Sequence, residues 1–153
     1  MTRANFYIVT RAGKFKFQAN SSAYPSEMMA PVLIFAASTA SNNPGAINGF
    51  YQEPDSNAIA TLIETCGLTF GYVGNFSYHY EIDFIKQTVT VWGETSRWVN
   101  APLDWVEKGW NCYKGSGNKG YGYTTWVKGK KIYSKAFKNL INDANILSEA
   151  ESI

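Results

Sequence analysis

The chain has 153 residues, a length that fits one domain with a substantial core and requires no second domain. Its net charge is +2. We expect neither a secretory leader nor a membrane span, because no such leader pattern opens the sequence and the longest apolar run, residues 30–37, is far shorter than the roughly 20 residues of a span. Cys66 and Cys112 are too few to predict a disulfide framework. We therefore expect a cytoplasmic domain over residues 1–147, followed by a frayed tail over residues 148–153.

The charged residues are distributed unevenly. Residues 17–85 hold six acids and neither Lys nor Arg, whereas residues 108–142 hold eight Lys and no acid. This asymmetry is typical of an anion-facing surface, and it would also let the two halves of the chain attract each other.

The first predicted element is a hairpin. Residues 4–10 and 14–19 flank Arg11-Ala12-Gly13, whose glycine can take the positive φ of a bulged turn. Phenylalanines alternate with lysines in the second strand. That strand should therefore have one wet face and lie near a sheet edge.

A buried helix is predicted next. Apolar residues recur at helical spacing from Met29 to Ala37, and we expect the helix to end near Ser38. Pro31 then lies either in the first turn or at a kink. The polar stretch Ser41–Pro54 is predicted to be the longest irregular segment.

Two more helices are indicated by their capping residues. Asp55 or Ser56 caps a helix with a regular apolar stripe, which Gly67 closes in a left-handed conformation. A short helix is predicted after Asn100 as its cap, with Pro102 in the first turn.

The strongest pattern in the chain is a central hairpin. From Phe76 to Phe84 apolar and polar residues alternate strictly, as in a half-buried strand. The predicted register pairs Asp83 with Thr88 and His79 with Trp92, which makes one face wholly apolar. His79 lies on the other, wetter face, so its replacement by alanine is expected to leave the fold intact.

The last elements are a third hairpin and a helix. The hairpin is predicted to join Tyr121–Val127 and Lys130–Tyr133 through a turn at Lys128-Gly129. Ser134 is predicted to cap the helix. The expected fold is α+β: an antiparallel sheet built from three hairpins, with about three helices packed on one face.

A G-x-G-x-x-G pattern spans Gly115–Gly120. In dinucleotide sites such glycines let backbone N–H groups approach phosphates, but a helix opens directly after them, whereas a strand is predicted here. We interpret the segment as a flexible loop, with an anion-binding nest as the alternative.

His79, Glu81 and Asp83 alternate along the central strand and therefore project to one side of the sheet. The ordinary interpretation is a solvated face, and contact with a ligand or acid–base chemistry are alternatives. One histidine and two distant cysteines are a poor set of metal ligands, so we predict neither a metal nor a cofactor.

Tryptophans and lysines supply further candidates. The chain has five tryptophans, of which Trp92 and Trp98 are expected to be partly exposed and the others to fill the core. Lys128, Lys130 and Lys131 cluster at the predicted third hairpin. They are interpreted as solvated or edge-protecting lysines, with an anion-binding surface as the alternative.

Several short segments can be compared with known sequences. They are Phe17 through Tyr24-Pro25, Tyr80-Glu81-Ile82-Asp83 with Val89-Thr90-Val91-Trp92, Ala101-Pro102 with Trp105 and Gly109-Trp110, and Tyr123-Thr124-Thr125-Trp126. These segments, spread over residues 4–131, resemble small proteins of unassigned function encoded by bacteriophages. The resemblance brings no catalytic residue. It implies an accessory protein that counters host defence by binding rather than turnover, in the cytoplasm of a bacterial host.

We predict a non-enzymatic protein that sequesters an anionic, nucleotide-like small molecule, with aromatic rings against the base and lysines or backbone N–H groups on the phosphate. One alternative is an inhibitor that docks on a host defence protein through the Trp-rich segment 92–110. The other is a phosphoesterase or lyase that uses His79. We expect a small molecule rather than nucleic acid as the partner, and no membrane contact. The protein could also form a homo-oligomer. The predicted ligand-binding residues are His79, Glu81, Trp92, Arg97, Trp98, Tyr123, Trp126, Lys128, Lys130 and Lys131.

Overall fold

The computed structural model of the chain describes residues 2–41, 53–71, 76–109, 112–118, 120–142 and 145–153. The strands in these ranges are β1 (Ala4–Thr10), β2 (Gly13–Ala19), β3 (Leu68–Phe70), β4 (Tyr78–Asp83), β5 (Thr88–Asn100), β6 (Tyr113–Lys114) and β7 (Tyr121–Ala136). The helices are α1 (Pro25–Ser41), α2 (Ser56–Cys66), α3 (Leu103–Glu107), α4 (Phe137–Asn142) and α5 (Ile146–Glu151). The fold is therefore of the mixed α+β kind.

The described strands form one seven-stranded sheet in the order β3-β2-β1-β4-β5-β7-β6. The pair β1/β4 is parallel, and the other neighbouring pairs are antiparallel. The prediction of a wholly antiparallel sheet was wrong, because parallel neighbours need a long crossover and the chain supplies one between β1 and β4 that includes β2, α1, α2 and β3.

The central hairpin β4/β5 has the predicted register. Asp83 pairs with Thr88, and His79 pairs with Trp92. Tyr80 is fully buried on the apolar face, where its hydroxyl donates to the Ala23 carbonyl oxygen over 2.6 Å. The strict alternation of the sequence therefore specified both the partner strand and the face that enters the core.

The hydrophobic core lies between this apolar face and the helices. Helix α1 packs against α2, α4 and α5. The core joins buried side chains of these helices to Phe6 and Phe17 of the opening hairpin and to Ile82 and Val91 of the central one. These strand residues share one face, so the helices that contribute to the core lie on that side of the sheet.

The predicted third hairpin was wrong. Strand β7 runs through Lys128-Gly129 without turning and pairs with β5 along its length, interrupted by register shifts next to Trp92. The local reason is a bulge in β7, where a Cβ on Gly129 would lie 3.1 Å from the backbone of Glu94. The hairpin in this region instead joins β6 to β7 through residues 115–120, with the Gly115 N–H donating to the Gly120 carbonyl.

The helices also differ from the predicted set of about three. Helix α1 begins at Pro25, so Pro31 lies inside it and not in its first turn. Asn100 ends β5 and does not cap α3; its side chain accepts the indole N–H of Trp98. Ser134 lies in β7 and caps no helix.

Two predicted segments have a different outcome. The last predicted helix is divided into α4 and α5, and α5 continues to Glu151 with Ala150 fully buried, where the sequence predicted a frayed tail. Most of the predicted loop Ser41–Pro54, residues 42–52, lies outside the described residues.

In the described part of the chain, no helix is long and apolar enough to cross a membrane.

Helix α2 agrees closely with the sequence. The Asp55 carboxylate accepts the Ala58 N–H at 2.8 Å, and Gly67 adopts φ 63° at the C-terminus. Cys66 is buried near the end of this helix, and burial raises the pKa of its thiol to about 11. The thiol is therefore protonated at neutral pH and packs as a small hydrophobic group.

Candidate functional site on the sheet face opposite the core

The polar face of the sheet brings together residues that are distant in sequence. Strand register aligns Asn5, His79, Trp92 and Lys131 in one row across β1, β4, β5 and β7. Side chains at paired positions share a face, so this row lies opposite the helix-covered core. The neighbouring row places Lys16 and Tyr7 beside Glu81.

His79 is buried at the centre of this face. Only 2% of the residue is exposed. Its ring contacts Tyr7 with centroids 4.4 Å apart and Trp92 at 5.4 Å, and Phe76 lies at 6.2 Å. The expectation of a solvated His79 was wrong, because parallel pairing with β1 brings Tyr7 onto the imidazole.

His79 and Glu81 form the charged centre of the face. The distance from His79 Nε2 to Glu81 Oε2 is 3.4 Å, which is too long for a strong hydrogen bond, and Nε2 has no closer partner among the residues the structure describes. Burial lowers the pKa of His79, and Lys128 adds to this, whereas the Glu81 carboxylate opposes it. His79 is therefore neutral at neutral pH.

Glu81 is held in its ionised form by its neighbours. The adjacent His79 imidazole lowers the pKa of the Glu81 carboxyl and Lys128 lowers it further, while burial acts in the opposite direction. The Lys128 ammonium lies 3.8 Å from Glu81 Oε2. The Lys128 side chain is 46% exposed and the Glu81 side chain is 15% exposed. This ion pair therefore lies between the solvent and the buried imidazole.

Lysine ammonium groups lie over the two partly exposed rings. Lys128 Nζ is 4.4 Å from the centroid of the Trp92 ring. Lys14 and Lys16 Nζ lie 4.8 and 5.7 Å from the Tyr7 ring. We call this group the lysine–aromatic face; it consists of Tyr7, His79, Trp92, Lys14, Lys16 and Lys128, with Glu81 among them.

The predicted ligand-binding residues fall into two groups. His79, Glu81, Trp92 and Lys128 meet in the lysine–aromatic face, and Lys131 is paired with Trp92 at its margin. Their convergence follows from the central hairpin and its pairing with β7. Lys130 lies in the β7 bulge, exposed to solvent.

The other predicted residues lie further along β5 and β7. Trp92 and Trp98 are both half-buried, as predicted, and are separated by six residues or about 20 Å of strand. Arg97 is exposed on the opposite face from Trp98, and Tyr123 stacks on Trp105 with centroids 5.7 Å apart. Trp126 pairs with Ser96 in the backbone, and its side chain lies outside the described part.

Sequence reasoning missed Tyr7, Lys14 and Lys16. Alternation in the opening hairpin already placed the two lysines on a wet face. The missing information was the parallel pairing of β1 with β4, which joins that face to His79. Nothing local in the sequence predicts such a long-range pairing.

Two other candidate chemistries find little geometric support. The G-x-G-x-x-G segment is a tight connection between two strands and opens no helix. In the described ranges, no group of three His, Cys, Asp or Glu residues is arranged to hold a metal ion.

Comparison with known proteins provides no family for this arrangement. The chain matches no protein-family model, and neither a curated protein nor a solved structure matches it significantly. The resemblance to phage proteins stays a prediction, and the function is argued from the site.

Proposed function

We propose that the protein is a non-enzymatic binder of an anionic, nucleotide-like ligand, which it holds on the lysine–aromatic face. One observation carries the proposal. Three lysine ammonium groups lie within 6 Å of two aromatic rings that both contact the same buried histidine. Rings that stack on a base and ammonium groups that bind phosphate are the two elements such a ligand requires.

The lysines occupy the places that a bound base would take. An exposed cation–π contact contributes about 0.5–1 kcal/mol, whereas a stacked base contributes about 1–3 kcal/mol. Lys128 can therefore leave the Trp92 ring, and its ammonium is then available to a phosphate oxygen. Lys128 would also give up its 3.8 Å ion pair with Glu81, and the new charged hydrogen bond to the phosphate, which contributes about 1.5–3 kcal/mol, offsets these losses.

The charge balance of this face supports an anion. Lys14, Lys16, Lys128 and Lys131 project to it, against the carboxylates of Glu81, Asp83 and Glu94. One of these acids is already occupied, since Asp83 Oδ1 accepts two backbone N–H groups in the following turn. The lysines surround the rings, so their positive potential is concentrated where the ligand would lie.

The two alternatives from the sequence have less support. An acid–base role needs an accessible imidazole, and His79 is 98% enclosed, with its Nε2 directed at Glu81 and not at solvent. Within the described part of the segment 92–110, the tryptophans do not share one surface, because Trp105 stacks on Tyr123, whose strand partner Val99 projects away from Trp98. The phage counter-defence role and the cytoplasmic address stay predictions.

Titration calorimetry with adenosine monophosphate and thymidine monophosphate tests the proposal. The variant Lys14→Gln/Lys128→Gln should weaken binding about tenfold or more, since each charged hydrogen bond contributes more than the 1.4 kcal/mol of one decade. A matched control, Lys86→Gln/Lys114→Gln, removes two exposed lysines away from the face and should bind as the wild type does. Equal loss in both variants would show non-specific charge attraction, and no binding of either nucleotide or of short oligonucleotides would refute the proposal.

A further inference from the structure

The sheet face opposite the core continues along β5 beyond Trp92. Side chains alternate along a strand, so Trp92, Glu94 and Trp98 project to the same side. The bulge lies in β7 and not in β5: Trp92 pairs with Lys131 and Glu94 pairs with Lys128, so β7 advances by three residues where β5 advances by two. The alternation along β5 is therefore kept through the bulge.

Trp98 provides a second ring platform on this face. Its indole lies directly over Gly122, where a Cβ would come within 2.7 Å of the ring and would also collide with the Val99 carbonyl oxygen. The indole N–H donates to Asn100 Oδ1 at 2.9 Å, and the Tyr113 ring is nearly perpendicular to the indole, with the ring centroids 5.4 Å apart. Glycine at position 122 is thus required for the tryptophan to lie flat on the sheet.

The shape of the surface distinguishes between possible ligands. None of the described pockets is lined by Tyr7, Trp92 or Trp98. One of them, lined by Trp105, Tyr113, Tyr123 and Thr124, borders the Trp98 ring through Tyr113, and two others lie between α1 and α2 and between α2 and the opening hairpin. Small ligands are usually enclosed in a concave pocket. An open row of rings bordered by cations is instead typical of surfaces that bind single-stranded nucleic acid.

We propose that the ligand is a single strand of nucleic acid, which crosses the sheet from Tyr7 to Trp92 and then follows β5 to Trp98. Its bases stack on these three rings. Its phosphates contact Lys14 and Lys16 at one end of the track and Lys128 near the middle. Two carboxylates, those of Glu81 and Glu94, also lie on this path. Lys128 accompanies both, since its ammonium is 3.8 Å from Glu81 and it is opposite Glu94 in the strand register. This inference rests on the proposed function and extends it from one nucleotide to several.

The length of the track agrees with such a ligand. Two strand spacings separate Tyr7 from Trp92, about 10 Å, and β5 adds about 20 Å to Trp98. Single-stranded sites of this kind hold about 4–16 nucleotides. A free nucleotide, in contrast, could occupy only one ring and one cluster of lysines.

The test compares thymidine monophosphate with an oligothymidylate of about eight nucleotides, each titrated into the full chain. The oligonucleotide should bind at least about tenfold more tightly. Trp98→Ala should weaken it about tenfold, the effect of one lost stacking ring, and should leave the binding of the monophosphate unchanged. Trp105→Ala is the matched control, because Trp105 stacks on Tyr123, whose partner Val99 projects away from Trp98.

Further titrations separate the sources of binding. The affinity for the oligonucleotide should fall with salt, by about 0.7 in the log–log slope for each phosphate contacted. A duplex of the same length should bind more weakly because its bases are stacked internally. An oligouridylate of equal length, measured in parallel, distinguishes RNA from DNA as the preferred strand.

Three outcomes would overturn the inference: equal affinity for monophosphate and oligonucleotide, equal affinity for duplex and single strand, or no effect of Trp98→Ala on the oligonucleotide. In each of them, nucleotide binding that depends on Lys14 and Lys128 would leave the proposed function standing. Failure of every nucleotide and oligonucleotide to bind would overturn both.

Discussion

Replacement of His79 by alanine should destabilise the protein by about 1–3 kcal/mol. Truncating a buried side chain of this size costs about 2–5 kcal/mol, and the imidazole is 2% exposed between the rings of Tyr7 and Trp92. Part of this cost is recovered, because Nε2 is buried without a close partner and such a group costs about 1–3 kcal/mol. For a chain of this length the change corresponds to a decrease in Tm of roughly 3–10 °C.

His79→Leu is the matched control. Leucine keeps most of the volume and removes the buried polar nitrogen, so the free energy of unfolding of this variant should lie within about 1 kcal/mol of the wild-type value. Urea denaturation followed by tryptophan fluorescence measures both variants, since Trp92 contacts the substituted ring. An unchanged free energy of unfolding for His79→Ala would mean that the His79 side chain is exposed to solvent. Equal destabilisation by leucine and alanine would mean that the long contact with Glu81 contributes substantially to stability.

Three further predictions follow from contacts in the structure. Gly122→Ala should destabilise the protein by about 1–3 kcal/mol in thermal denaturation, because the added Cβ would collide with the neighbouring strand. Gly93→Ala is the control and should be tolerated, since the nearest atom to its added Cβ would be 3.9 Å away. Equal stability of the two variants would contradict the close packing at Gly122. Tyr80→Phe should cost about 1–2 kcal/mol in urea denaturation, because the buried carbonyl of Ala23 loses its donor at 2.6 Å, and no loss would contradict that hydrogen bond. The free energy of unfolding should fall as the pH decreases below about 6.5. Burial lowers the pKa of His79 in the folded protein, so the unfolded chain binds the proton at a higher pH than the folded protein does. An equal loss of stability in His79→Leu would show that other groups cause the pH dependence.

Local patterns predicted the elements that local forces determine. The alternation from Phe76 to Phe84 specified the register of β4 with β5, because a slip by one residue would have placed Glu81 in the core. Asp55 and Gly67 specified the ends of α2 because each satisfies backbone groups within one turn.

Long-range pairing was beyond the same patterns. A lysine–glycine pair between two apolar runs favours a hairpin turn, yet at Lys128-Gly129 the chain continues straight, because β5 is long enough to pair with both runs and the glycine accommodates a bulge instead. The burial of His79 depends on Tyr7 from a strand about 70 residues earlier, so its polar neighbours in sequence indicated solvent where the fold provides aromatic rings.

The most direct measurement of the central claim is the ¹H–¹⁵N NMR spectrum of the tryptophan indole groups during titration with the oligothymidylate, with Trp92 assigned by a Trp92→Phe variant. We expect the Trp92 indole signal to shift in a saturable manner and the Trp98 signal to shift with it. The variant Lys14→Gln/Lys128→Gln should require a higher concentration of ligand for the same shift. Saturable binding that leaves the Trp92 signal unmoved would place the ligand elsewhere and contradict the claim that the lysine–aromatic face is the binding site.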